Sequence, residues 1–163
     1  MHRTCLLLLR FCLSAWAGIA IFFVVEVIEL RQSNLFGEET KFNHPKVLFP
    51  LYYGFEFALL GAAGLCAAML LGSRELGRGR KLALLALVLG ACALAVWDYG
   101  AIYRDLMTMM EATPLPSAFH ALHRLSRNFN GTILGLTVAG ALVALWPTAP
   151  PPQSAGGDTT VRA

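Results

Sequence analysis

The chain has 163 residues, 56% of them hydrophobic and 14% charged, with a net charge of +3. An ordinary soluble domain carries about 25% charged residues, so a water-soluble enzyme or binding module is a poor fit. No block of Lys and Arg interleaved with aromatic residues points to a nucleic-acid partner, and the length leaves room for one domain.

Four apolar stretches fill most of the chain, at about 5–28, 48–71, 82–102 and 129–146. A helix rises about 1.5 Å per residue, so about 20 apolar residues span a hydrocarbon core of about 30 Å. The expected fold is therefore all-α: an integral membrane four-helix bundle over residues 1–146, with both termini on the same side and the lipid bilayer as its solvent.

The first stretch opens on Met1–Arg3 and CLLLL, which resembles a secretory signal, and Ala15-Trp16-Ala17 offers a cleavage pattern. Arg10 interrupts the apolar run, however, and the run continues to Ile28 without a stop at Gly18. An uncleaved first helix is the expectation. Glu26 and Glu29 lie one turn apart at its outer end. The connection that follows, roughly Glu29–Val47, ends in His44-Pro45.

The second stretch carries Glu56 in LYYGFEFALLG. An acidic group at mid-helix depth costs about 2.5–3.5 kcal/mol on insertion scales, so Glu56 is expected to face the bundle interior, protonated, paired or coordinated. Gly61 and Gly64, with Ala58 and Ala68, give this helix a smooth face. The next connection, 72–81, holds Arg74, Arg78, Arg80 and Lys81. With Arg3, Arg10 and Arg162 that side has seven basic residues against six on the other. The totals are close, and it is the density of the short basic loop that places the termini and 72–81 in the cytoplasm.

Asp98 sits near the outer end of the third stretch. RDLMTMMEA, Arg104–Ala112, can extend that helix beyond the membrane until Pro114 and Pro116 stop it. Ser117 is a candidate N-cap for a fourth helix that begins outside the bilayer and descends into it. Along that helix, residues 120, 123, 127, 130 and 134 share one face, bearing His120, His123, Arg127 and Asn130. Gly131, Gly135 and Ala139 form a small-xxx-small stripe suited to close helix packing inside the same bundle. From Pro147 to Ala163 the sequence turns to prolines, paired glycines and small polar residues, the composition of a disordered tail.

Alternating helix directions bring these polar groups to the same outer portion of the bundle. Carboxylates and imidazoles projecting between facing helices are what bundle-core metal sites use, so Glu56, Asp98, His120 and His123 are the candidate metal ligands. Glu26, Glu29, Arg127 and Asn130 form a supporting polar cluster. The same groups could pass protons, since His titrates near neutrality. A simpler reading has Arg127 neutralising Glu56 or Asp98 in a network that only holds the helices together. Cys5, Cys12, Cys66 and Cys92 show no metal-ligand spacing and read as packing residues.

Two stretches carry a family resemblance. KVLFPLYYGFEFALLGAA contains Leu48-Phe49-Pro50 followed by aromatics, and FHALHRLSRNFNGTILGL places His123, Ser126 and Asn130 at the start of the fourth helix. In these the chain resembles the transmembrane-protein-205-like family of small four-helix membrane proteins. The resemblance implies a compact four-helix membrane domain and supplies no reaction and no ligand residues. Three functions are consistent with the residues: binding or moving a small cation or protons, an interaction subunit of a membrane complex or homo-oligomer, and a haem- or quinone-binding redox protein. The last needs axial ligands from facing helices, and both predicted histidines sit on one. No nucleophile–base arrangement or phosphate-binding loop favours an enzyme.

Overall fold

The apolar stretches do become helices, and each helix begins before its stretch. In the computed structural model, which describes residues 2–73, 76–112 and 114–147, α1 spans His2–Gln32, α2 Glu38–Leu70, α3 Arg78–Trp97, α4 Arg104–Met109 and α5 Phe119–Leu145. A π-helical segment, Asp98–Tyr103, joins α3 to α4 without a break, so these form one continuous rod. Among the described residues there is no strand. Four helical rods are long and apolar enough to cross a membrane. The result is an all-α four-helix bundle in the pattern of a multi-pass membrane protein.

Successive rods run antiparallel, which returns both ends of the bundle to one side. Arg10, early in α1, reaches the carbonyl of Ala144 at the end of α5, and Lys81 at the start of α3 reaches that of Leu71 just after α2. At the opposite end, Glu26 of α1 approaches His44 of α2.

The connection expected over Glu29–Val47 is mostly helical. Only Ser33–Gly37 separates α1 from α2, tied by the Ser33 amide to the Glu29 carbonyl and the Leu35 amide to the Ser33 hydroxyl. Pro45 and Pro50 lie inside α2. Proline forgoes one bond to the carbonyl four residues back, a loss that helices packed against neighbours tolerate. Pro45 is itself buried in the bundle. Ser117 does not cap α5: Ala118 holds the N-cap position, with no side-chain hydrogen bond.

Burial follows helical spacing. On the third rod Leu84, Val88, Ala91, Ala95, Asp98, Ile102 and Leu106 are buried at intervals of three or four residues. Two apolar layers result. The inner layer holds Leu9, Leu13, Ala63, Leu70, Leu84 and Val88, together with Cys5, Cys12 and Cys66. The outer layer is built around Trp16, Tyr52, Tyr53, Leu60, Ala95 and Ile133. The four cysteines are free thiols, three of them buried.

The small-residue stripes point outwards. Gly131 and Gly135 are exposed, and a Cβ at either would meet nothing within 4 Å; the same is true of Gly61. Close approach occurs instead at Gly140, where a Cβ would stand 3.3 Å from Leu13 Cδ1. The tail from residue 148 onwards lies outside the described residues, as do Arg74 and Glu75 of the basic loop.

Candidate functional site

The inward stripe of α2 runs Tyr52, Tyr53, Glu56, Leu60, Ala63, so Glu56 falls on the face that the tyrosines and leucine bury. Asp98 meets it from the third rod, at the first residue of the π-helical segment. Such segments widen a helix locally and recur at functional sites. Both carboxyl groups have no solvent exposure, and Tyr53, one turn before Glu56, bonds Asp98 directly.

Their environments differ sharply. Asp98 Oδ2 accepts three hydrogen bonds: from the Tyr53 hydroxyl at 2.6 Å, Asn130 Nδ2 at 2.7 Å and the Ser126 hydroxyl at 3.2 Å. Asn130 Oδ1 in turn accepts from the Tyr52 hydroxyl at 2.9 Å. The result is a network across α2, the π-helical segment and α5. Asp98 Oδ1 has no partner, and neither oxygen of Glu56 has one. Trp16 Nε1, buried on α1 with its ring 4.9 Å from that of Tyr52, is also unpartnered.

The polar stripe of α5 is displaced by one residue from the expected face. The buried positions are Ser126, Ile133, Thr137 and Ala141, with Asn130 half-buried between the first two. Asn130 belongs equally to a stripe through 123, 127 and 134 and to one through 126 and 133. Packing selects the second, because Ser126 is small enough to sit against Asp98 where Arg127 is not. His120, His123 and Arg127 are exposed. His120 and His123 pack around Phe119, with the His123 ring parallel to it at 5.9 Å. The structure therefore brings Glu56, Asp98 and Asn130 together and leaves the two histidines outside. Among the described residues no ion pair joins Arg127 to either carboxyl group, which removes the neutralisation expected of it. Nor do any three His, Cys, Asp or Glu side chains among them stand where they could share a metal ion.

Glu26 and Glu29 form part of a separate cleft of about 310 Å³ between α1 and α2, lined also by Ser33, Thr40 and His44. Glu26 Oε1 lies 3.4 Å from His44 Nδ1, and Glu29 is exposed.

Tyr52, Tyr53, Ser126 and Trp16 are absent from the residues that sequence reasoning singled out for the site. Two signals were available. Tyr52 and Tyr53 precede Glu56 by four and three positions, and Ser126 precedes Asn130 by four, which puts each on its partner's face. Tyr53 has a further role. Its ring, with Pro50, Gly54, Phe57, Tyr99 and Tyr103, lines a groove of about 250 Å³, while its hydroxyl holds Asp98. One side chain thus links the groove to the buried acid.

Comparison of the chain with protein-family models, curated proteins and solved structures gives no match.

Proposed function

We propose that this chain is a multi-pass membrane protein that takes up and passes protons at the Glu56–Asp98 pair. The observation that carries the reading is Glu56 itself, fully buried with no hydrogen-bond partner on either oxygen and no basic side chain paired to it among the described residues. A bare carboxylate in an apolar interior costs far more than a neutral acid, so a buried carboxyl without a cation takes a proton instead. Asp98 is the complementary half. Three donors meet one of its oxygens. Its other oxygen is free to accept the proton that Glu56 carries. Asn130, half-buried, and Ser126 connect Asp98 towards the end of the bundle that bears His120 and His123. A metal at this pair has less support, since no third ligand converges on it.

The basic inner end supports an orientation with the termini and the 72–81 connection in the cytoplasm, which places the diacid towards the outer leaflet. Labelling a Gly79→Cys variant from either side of sealed vesicles checks this. Ser126 and Asn130, two of the residues that carry the family resemblance, both hold Asp98; the resemblance fits a role for this cluster.

The test is infrared difference spectroscopy on detergent-purified protein, with proton flux into proteoliposomes measured alongside. Wild type is expected to show the carbonyl stretch of a protonated carboxylic acid, shifting on deuteration. Glu56→Gln is expected to lose that band and the flux while keeping its helical circular dichroism. A band that survives Glu56→Gln, or flux indifferent to it, would sink the proposal and favour a network that only joins helices.

A further inference from the structure

At the inner end of the bundle two guanidinium groups converge on the last turn of α5. Arg10 of α1 donates from Nε to the Ala144 carbonyl at 2.7 Å. Arg80 of α3 donates from Nε to the Val143 carbonyl and from Nη2 to that of Ala144, each at 2.9 Å. These bonds satisfy carbonyls that a helix end leaves without partners, and α5 has no basic residue of its own in that turn. As a cap the pair is oversized. A helix C-terminus offers about half a negative charge, and here it meets two full positive charges.

Among the described residues no acidic side chain offsets the surplus. The two guanidiniums are close enough to repel one another. Both arginines are half-buried between helices, not free in solvent. Among the described residues Arg10 bonds through its Nε, and its two Nη groups present donors in a planar fork suited to two oxygens of one phosphate. Apolar surface adjoins the pair. Leu7, one turn from Arg10, is 63% exposed, and Leu142 and Leu145 flank the capped carbonyls at 61% and 55%. Basic pockets between transmembrane helices on the cytoplasmic side are where anionic headgroups bind.

We propose that Arg10 and Arg80 hold the phosphate of an anionic phospholipid, whose acyl chains lie along the exposed leucines of α1 and α5. The inference is independent of the diacid, which lies in the opposite half of the bundle.

The experiment is native mass spectrometry and thermal unfolding of the full chain in detergent. Phosphatidylglycerol, phosphatidylcholine, glycerol phosphate and inorganic phosphate are each added to wild type, Arg10→Gln/Arg80→Gln and Arg78→Gln. Wild type is expected to retain phosphatidylglycerol over phosphatidylcholine by about tenfold or more and to unfold at a higher temperature with it. The double variant is expected to lose most of that preference, and Arg78→Gln, altered at an exposed position, to keep it. No lipid preference in wild type overturns the proposal, as does equal loss in Arg78→Gln, which would mean diffuse surface charge. Equal stabilisation by glycerol phosphate or inorganic phosphate also overturns it, in favour of a free-anion site. Should the double variant not fold, Arg10→Lys decides. It keeps the charge and loses the fork, so the preference should fall several-fold; an unchanged preference counts against the site.

Discussion

The two ends of the bundle carry ionisable groups of opposite kind, without ion-pair partners among the described residues. At the end of the bundle away from α1's start, Glu56 and Asp98 are sealed among aromatic rings with no cation paired to them among the described residues. At the opposite end, Arg10 and Arg80 press on helix carbonyls with no acidic side chain paired to them among the described residues. A fold selected for stability alone would gain by bringing opposite charges together, because an unpaired charge out of water is costly. On the two proposals above, keeping them apart leaves each to be met from outside the chain, by a proton at one end and by an anion at the other. The same separation shows within the diacid, where one carboxyl group has three donors on a single oxygen and the other has none.

The largest expected effect breaks that contrast at Asp98. Asp98→Ala strands the Tyr53 and Ser126 hydroxyls in the interior and takes one acceptor from Asn130 Nδ2, which keeps the Ser126 carbonyl. Polar side-chain bonds in membrane proteins contribute about 0.6 kcal/mol each and up to about 1.7. The loss of three, with donors left unmet, should lower unfolding free energy by about 2–4 kcal/mol. Glu56→Leu should do the reverse. It removes two oxygens that nothing satisfies, and replacing buried ionisable groups with apolar ones of similar volume is neutral or stabilising by about 1–4 kcal/mol. Reversible unfolding in mixed micelles measures both. Equal destabilisation by the two substitutions would erase the distinction between the carboxyl groups.

The next effect down separates two tyrosines that are neighbours in sequence. Tyr53→Phe removes the shortest bond to Asp98, worth about 1–1.7 kcal/mol, while Tyr52→Phe removes a bond to the neutral Asn130 amide, worth about 0.6 kcal/mol. Each keeps its ring packing, so the difference reports on the hydroxyl partner. A double-mutant cycle with Asp98→Asn should show coupling for Tyr53 well above that for Tyr52.

How far the sequence reaches can be judged from particular positions. Glu56 was legible because an acid in an apolar run has one economical place to go, the bundle interior, and that is where it lies. The helical character of residues 38–47 was not. Pro45 and the charged residues there read as a connection, yet α2 runs through them with Pro45 buried in the bundle. On α5 the period was right and the phase was off by one residue. Helical spacing through Asn130 admits Arg127 or Ser126 as its inward neighbour, and the choice rests on the space left beside Asp98. That space belongs to other helices. Spacing can nominate a face, but side-chain volume across the interface decides between adjacent faces, and this is why His120 and His123 lie outside the polar core.

The glycines of α5 test the same point with the smallest effects. Spacing nominates Gly131 and Gly135 as contacts, whereas the packed position is Gly140. At Gly140 an added Cβ would stand 3.3 Å from Leu13 Cδ1 and 3.9 Å from Leu87 Cβ, so Gly140→Val forces a shift between α1, α3 and α5 and should cost about 1–3 kcal/mol. At Gly131 and Gly135 the new methyl meets nothing of the chain. Ala there reduces the backbone entropy lost on helix formation and should raise stability by about 0.5 kcal/mol each. The sign of these last two is what matters. In a monomer in detergent both should stabilise. If Gly135→Ala instead destabilises, and does so more strongly as protein concentration rises, the outward stripe packs against a second copy of the chain, and the exposed face of α5 is an interface rather than lipid-facing surface.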